Sequence, residues 1–121
     1  MNEPATILFK NANKSICCLK RDTNGSLSQL GKRLSSIISK RKITENTEIH
    51  KLAFFIICGL CNRDIETNLT EANSDKSKLG YCYVFNSSDT NYISMAILHN
   101  NREIFNGTLE DFQQFLKNTT K

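Results

Sequence analysis

The chain has 121 residues, with 39% hydrophobic and 23% charged residues, one Pro and five Gly. That length suits a single domain with its own core, and the composition excludes collagen-like, proline-rich and wholly disordered chains. The formal charge of +4 is uneven, because residues 1–42 hold nine Lys/Arg against two acids and residues 43–121 hold seven against ten.

Residues 5–10 and 15–20 are short β-prone runs, and the polar stretch Asn11 to Lys14 between them suits a hairpin loop. Asp22-Thr23-Asn24-Gly25 is a turn signal, since Asn-Gly readily supplies positive φ. Ser26 and Gln29 have capping-box spacing, and Leu27, Leu30, Leu34, Ile37 and Ile38 recur at helical intervals. Lys32, Arg33, Lys40, Arg41 and Lys42 lie off that stripe, so the expected helix of about 15 residues carries a basic outer face. Such a face suits phosphate, nucleic acid or an acidic protein, although a merely solvated helix face has the same pattern.

A second helix is expected from about Thr47 to Cys61, apolar on nearly every side, with a buried strand as the alternative over 54–57. A helix apolar all round calls for a central core or another subunit, so a homo-oligomer is expected. The polar stretch 62–78 reads as a flexible excursion. A β-meander follows: 79–86 with Tyr81, Tyr83 and Phe85 on one face, then 91–98, a tight turn at His99 to Arg102, and 103–105. Thr108 and Asp111 cap a last helix bearing Leu109, Phe112, Phe115 and Leu116. The expected architecture is a single α+β domain over 1–121, an antiparallel sheet on two or three helices in the order ββααβββα.

The five cysteines are an odd count with a vicinal pair at Cys17-Cys18, unlike a secreted disulfide framework. Cys58-Gly59-Leu60-Cys61 has redox-motif spacing but closes a helix, where the dipole disfavours a thiolate. Buried structural thiols are expected, with metal binding and redox chemistry as alternatives. The apolar run Leu52 to Cys61 is about half a membrane span, and no signal peptide precedes the first strand, so a soluble, cytoplasmic protein without membrane partners is expected.

No nucleotide-loop, nucleophile-elbow or His-Glu-x-x-His pattern occurs, and His50, near the start of the apolar helix, and His99, at a hairpin tip, read as structural or solvent-facing residues. A non-enzyme without a cofactor is expected. The aromatic strand positions beside Arg and Lys offer either core packing or base stacking with phosphate contacts.

Three segments carry a resemblance across most of the chain. Leu19-Lys20-Arg21-Asp22-Thr23-Asn24-Gly25 leads into Leu30-Gly31-Lys32-Arg33-Leu34. Leu52-Ala53 is followed by Tyr81-Cys82-Tyr83, and Ile104-Phe105-Asn106-Gly107-Thr108-Leu109-Glu110-Asp111-Phe112 closes the series. This order resembles small phage and prophage proteins of the Thoeris anti-defence sponge type, in which an aromatic-Asp-Gly-Tyr-Pro turn occupies the place of Arg21 to Gly25. The resemblance implies binding of a cyclic ADP-ribose-type signal, or a related cyclic nucleotide, without cleavage, in a dimer or hexamer. The residues expected to hold such a ligand are Phe85 or Tyr92 stacking on a base, Arg21 and Arg102 on the phosphates, and Asn91 on a base edge or ribose. Two other functions use the basic helix instead: inhibition of a host nuclease by protein contact, or nucleic-acid binding together with the aromatic strand.

Overall fold

The computed structural model describes residues 3–12, 14–21, 24–61, 67–70, 80–88 and 92–119. Strands β1 (Ala5–Asn11) and β2 (Lys14–Arg21) form the expected antiparallel hairpin. A π-helical turn, Leu27–Gly31, runs into α1 (Lys32–Lys40), and α2 (Ile49–Cys61) follows. Strands β3 (Thr67–Thr70), β4 (Tyr81–Ser87), β5 (Ile93–His99) and β6 (Arg102–Gly107) precede α3 (Leu109–Thr119). The α+β class and the order ββααβββα hold, with β3 as an added strand.

Two expectations are corrected. The stretch read as an excursion contains β3, which extends the sheet by pairing antiparallel with β2. The six strands run in the order β3-β2-β1-β4-β5-β6, and the β1–β4 pair is parallel, so the sheet is mixed. Hairpin signals report only strands adjacent in sequence. The β1–β4 pairing is made across the helical insertion, where parallel strands need a long crossover.

One face of the sheet carries the core. Ile7, Phe9, Leu19, Tyr83, Phe85, Ile93, Met95 and Ile97 are buried there with Leu30, Leu34 and Ile38 before and within α1. Leu52, Ile56 and Leu60 of α2 and Phe112 and Leu116 of α3 complete it. The alternate strand positions meet helical positions three and four apart, the two periodicities that the sequence displays. Most of α2 is therefore sheltered within the chain, and Phe54 is its one large apolar side chain in the open, 60% exposed.

Local turns follow residue chemistry. Asn100 and Asn101 both take positive φ (53° and 70°) in the β5–β6 hairpin, as the primed turn requires, and Asn24 does so at 58°. Gly80 has φ +81°, and a Cβ there would run into Pro4, whose carbonyl accepts from the Tyr81 N–H at 2.9 Å. Thr108 and Asp111 form the expected reciprocal cap: the Asp111 N–H donates to Thr108 Oγ1 at 3.0 Å and the Thr108 N–H to Asp111 Oδ2 at 3.2 Å. The Ser26 cap is not formed; its hydroxyl instead donates to Gln29 Oε1 at 3.1 Å. The Gln29 N–H that a capping box would engage donates to the Ser26 main-chain carbonyl at 3.1 Å instead.

Candidate functional site: a basic groove between two helices

The ligand residues expected from sequence are dispersed. Phe85 is completely buried and stacks on Phe9, ring centroids 5.6 Å apart, so its face is occupied by the core. Core packing is the reading that fits the Tyr83 and Phe85 positions. Arg21 is only 6% exposed, which removes it from the surface. Its row across the sheet runs Arg21, Ala5, Tyr81, His99, Arg102. Four strand spacings therefore separate the two arginines, about 19 Å. Tyr92, 52% exposed, precedes β5 at the other end of the sheet from Arg102, which pairs with His99. Asn91 lies outside the described residues. No single ligand of nucleotide size spans this set.

The cationic side chains that do converge lie on α1. Arg33, Ser36, Ile37 and Lys40 recur at intervals of three and four, and Arg41 caps the helix. They line one wall of an open groove of about 540 Å³, and Cys58 and Gly59 of α2 line the other. The Lys32, Arg33, Lys40, Arg41 and Lys42 pattern carried this signal in sequence; what it lacked was the opposing wall.

Each guanidinium is fixed by a specific group on α2. The Arg33 Nη2 donates to the Gly59 carbonyl at 3.2 Å. That carbonyl lies in the last turn of α2, where helix oxygens have no partner within the helix and a cation is favoured by the dipole. Arg41 stands over the Phe55 ring at 5.3 Å, a cation–π contact. The helices approach closely because residue 59 is Gly; a Cβ there would meet Ile37 Cδ1 at 2.7 Å. Any larger residue would push Ile37 aside and open the wall between the two arginines.

The remaining polar clusters are structural in geometry. His99 Nε2 lies 2.7 Å from Glu3 Oε1, and its ring stacks on Tyr81 at 4.2 Å. Tyr81 stacks in turn on Tyr83, whose hydroxyl donates to the Gly25 carbonyl at 2.7 Å. Burial, reinforced by the neighbouring Tyr81 phenol and the Glu3 carboxylate against the opposing Arg21, pushes the Tyr83 hydroxyl well above the ordinary phenol range. Burial, then Glu3, raises Tyr81 as well. Both phenols stay protonated and serve as donors and packing surfaces. His50, exposed at the start of α2, sits 3.1 Å from Glu48. A smaller recess of about 150 Å³ on the opposite sheet face, lined by Lys10, Asn86, Ser94 and Asn106, has one cation.

The cysteines divide. Cys18 and Cys82 are buried, Cys17 is half-buried with its thiol pushed up by burial, and Cys58 is exposed in the groove, which corrects the expectation of uniformly buried thiols. The Cys61 side chain lies outside the described residues. Among the described residues, no three His, Cys, Asp or Glu side chains are grouped to hold a metal ion, and no helix is long and apolar enough to cross a membrane. Comparison with protein-family models, with curated proteins and with solved structures finds no match.

Proposed function

We propose that the protein binds a small phosphorylated nucleotide and holds it intact, a non-catalytic sequestration in the host-cell cytoplasm of the kind the sponge-protein resemblance implies. The observation that carries this reading is the groove, in which Arg33, Lys40 and Arg41 face an opening whose volume falls within the range of small-molecule sites. Arg forks suit phosphate oxygens, the Ser36 hydroxyl adds a donor or acceptor, and Ile37 offers apolar surface to a base or ribose. Through Arg33, Lys40, Arg41 and Ser36 the groove supplies positive charge and hydrogen bonds to a ligand.

Calorimetry against cyclic nucleotides and ADP-ribose derivatives tests the reading, followed by heat release and chromatography of the ligand. The expected result is micromolar or tighter binding, recovery of the intact ligand, and loss of binding in an Arg33→Glu/Lys40→Glu variant. Absence of binding across the panel overturns it, a cleaved product makes the protein an enzyme, and steeply salt-dependent binding of DNA makes it a nucleic-acid module.

Self-association belongs to the same reading. The resemblance implies a dimer or hexamer, and Phe54, exposed on the outer face of α2 with Phe55 half-buried beside it, is the contact we assign to it.

A further inference from the structure

One apolar side chain of α1 leaves the core and lies among the cations of the groove. Leu34 and Ile38 on the same helix are buried, whereas Ile37 is half-buried, packs on the edge of the core and lines the groove. Arg33 precedes it by one helical turn, and the Arg41 N–H closes the next turn on the Ile37 carbonyl at 3.0 Å. Lys40 is three positions on, and side chains three and four apart on a helix are neighbours. Every cation of this wall therefore has Ile37 within one turn. Its position is fixed by α2. Gly59 brings no side chain to the contact, and a Cβ there would meet Ile37 Cδ1 at 2.7 Å and Cγ1 at 3.0 Å. The Gly59 carbonyl also accepts from Arg33, so one residue seats a guanidinium and an aliphatic side chain next to each other. Ile37 is the one branched aliphatic side chain among the described lining residues; the others are the three cations, Ser36, Cys58 and Gly59.

We infer that Ile37 is the specificity-determining residue of the groove, selecting phosphate esters that carry a flat or apolar group close to the phosphate over phosphate alone. The inference rests on the phosphate-binding reading of the same groove and adds the residue that chooses among phosphates. Arg and Lys attract phosphate whatever is attached to it, so the cations by themselves discriminate little. A bare phosphate leaves the outer surface of Ile37 in water. An ester whose base settles on that surface removes it from water and gains in proportion to the area covered. Because Gly59 holds Ile37 in place, the seat exists before the ligand arrives, and binding costs little side-chain freedom. Cyclic nucleotides and ADP-ribose-type ligands both present a base of this kind.

The test is calorimetric titration with methyl phosphate, ribose 5-phosphate and AMP, three phosphate monoesters that share one charged group and differ in what it carries. For the wild type, AMP is expected to bind at least about tenfold tighter than methyl phosphate, the factor that roughly 60 Å² of apolar surface removed from water supplies. Ribose 5-phosphate, with a polar body, is expected to stay close to methyl phosphate. Ile37→Ser should bring the ratio of AMP to methyl phosphate affinity within about twofold of one, and the volume-conserving Ile37→Leu should keep it. A merely structural role would move both ligands together and leave the ratio alone. Circular dichroism checks the fold of each variant, and Ile37→Thr, closer in shape to the native residue, takes the place of the Ser variant if that one does not fold. A ratio near one in the wild type, a ratio that survives in the polar variant, or ribose 5-phosphate bound as tightly as AMP overturns the inference and leaves the phosphate-groove reading standing. Binding of none of the three overturns that reading, and the inference with it.

Discussion

Tyr83→Phe isolates one buried hydrogen bond. The Tyr83 side chain is completely buried, and its hydroxyl donates at 2.7 Å to the carbonyl of Gly25, just ahead of the turn that leads into α1. Phe keeps the ring and its packing against Tyr81 and deletes only the donor, so the Gly25 carbonyl loses its partner. Leaving a buried acceptor unpaired costs roughly 1–3 kcal/mol, and the lower half of that range applies where neighbouring loop backbone can admit water. For a chain of this size, about 1–2 kcal/mol corresponds to a fall in Tm of roughly 3–10 °C. Urea unfolding followed by circular dichroism should show a lower midpoint with an unchanged slope. The same group gives an alkaline signature. Burial raises the folded hydroxyl above the ordinary phenol range, so between the unfolded pKa of about 10 and the higher folded value the folded chain keeps a proton that the unfolded chain releases. That contribution is fully present below pH ~10 and is lost as pH rises further. Wild-type stability should therefore fall more steeply above that pH than stability of the Phe variant. A loss under about 0.5 kcal/mol at neutral pH, or parallel alkaline curves, would refute the role given to this hydroxyl.

Phe85→Ala should destabilise by about 3–5 kcal/mol, because it empties a fully buried ring position against Phe9; a variant of unchanged urea midpoint would return Phe85 to the list of ligand residues. Thr108→Ala removes the oxygen that accepts from the Asp111 N–H and should cost about 0.5–2 kcal/mol in thermal unfolding. Phe54→Ser, at an exposed position, should leave stability within about 0.5 kcal/mol while shifting sedimentation from an oligomer to a smaller species. Identical sedimentation of the two proteins would rule out Phe54 as an assembly contact.

Element types were legible where one residue pattern dominated. The Leu27-to-Ile38 stripe, the alternation through Tyr81, Tyr83 and Phe85, and the Thr108/Asp111 cap each specify a local structure, and each forms with the expected type. Pairing between distant strands was not legible, because nothing in β1 or β4 names its partner, and β3 is too short and polar to stand out from its surroundings. For the site, the charges of α1 were readable as a face. Phe85 and Arg21 were read as available because alternation reveals which residues share a face, and does not reveal whether that face is covered. The Gly59 wall and the two anchored guanidinium groups depend on how two helices meet, which periodicity within either one does not encode.

The central place of β1 has a consequence for how the chain reaches its native state. Ala5 pairs with Arg21 on one side and with Tyr81 on the other, 16 and 76 positions further along. During synthesis the β1–β2 hairpin emerges early and can close at once. The second edge of β1 stays open until β4 has been made, well past the middle of the chain. A nascent hairpin with an unpaired, strongly apolar strand is prone to pair with other chains. Closing so long a loop also places this protein among the slower-folding topologies, since the entropy of closure must be met before the distant contacts reward it. Lys10 on β1 and Lys14 and Lys20 on β2 put positive charge along that early hairpin, the kind of gatekeeper charge that opposes pairing between chains.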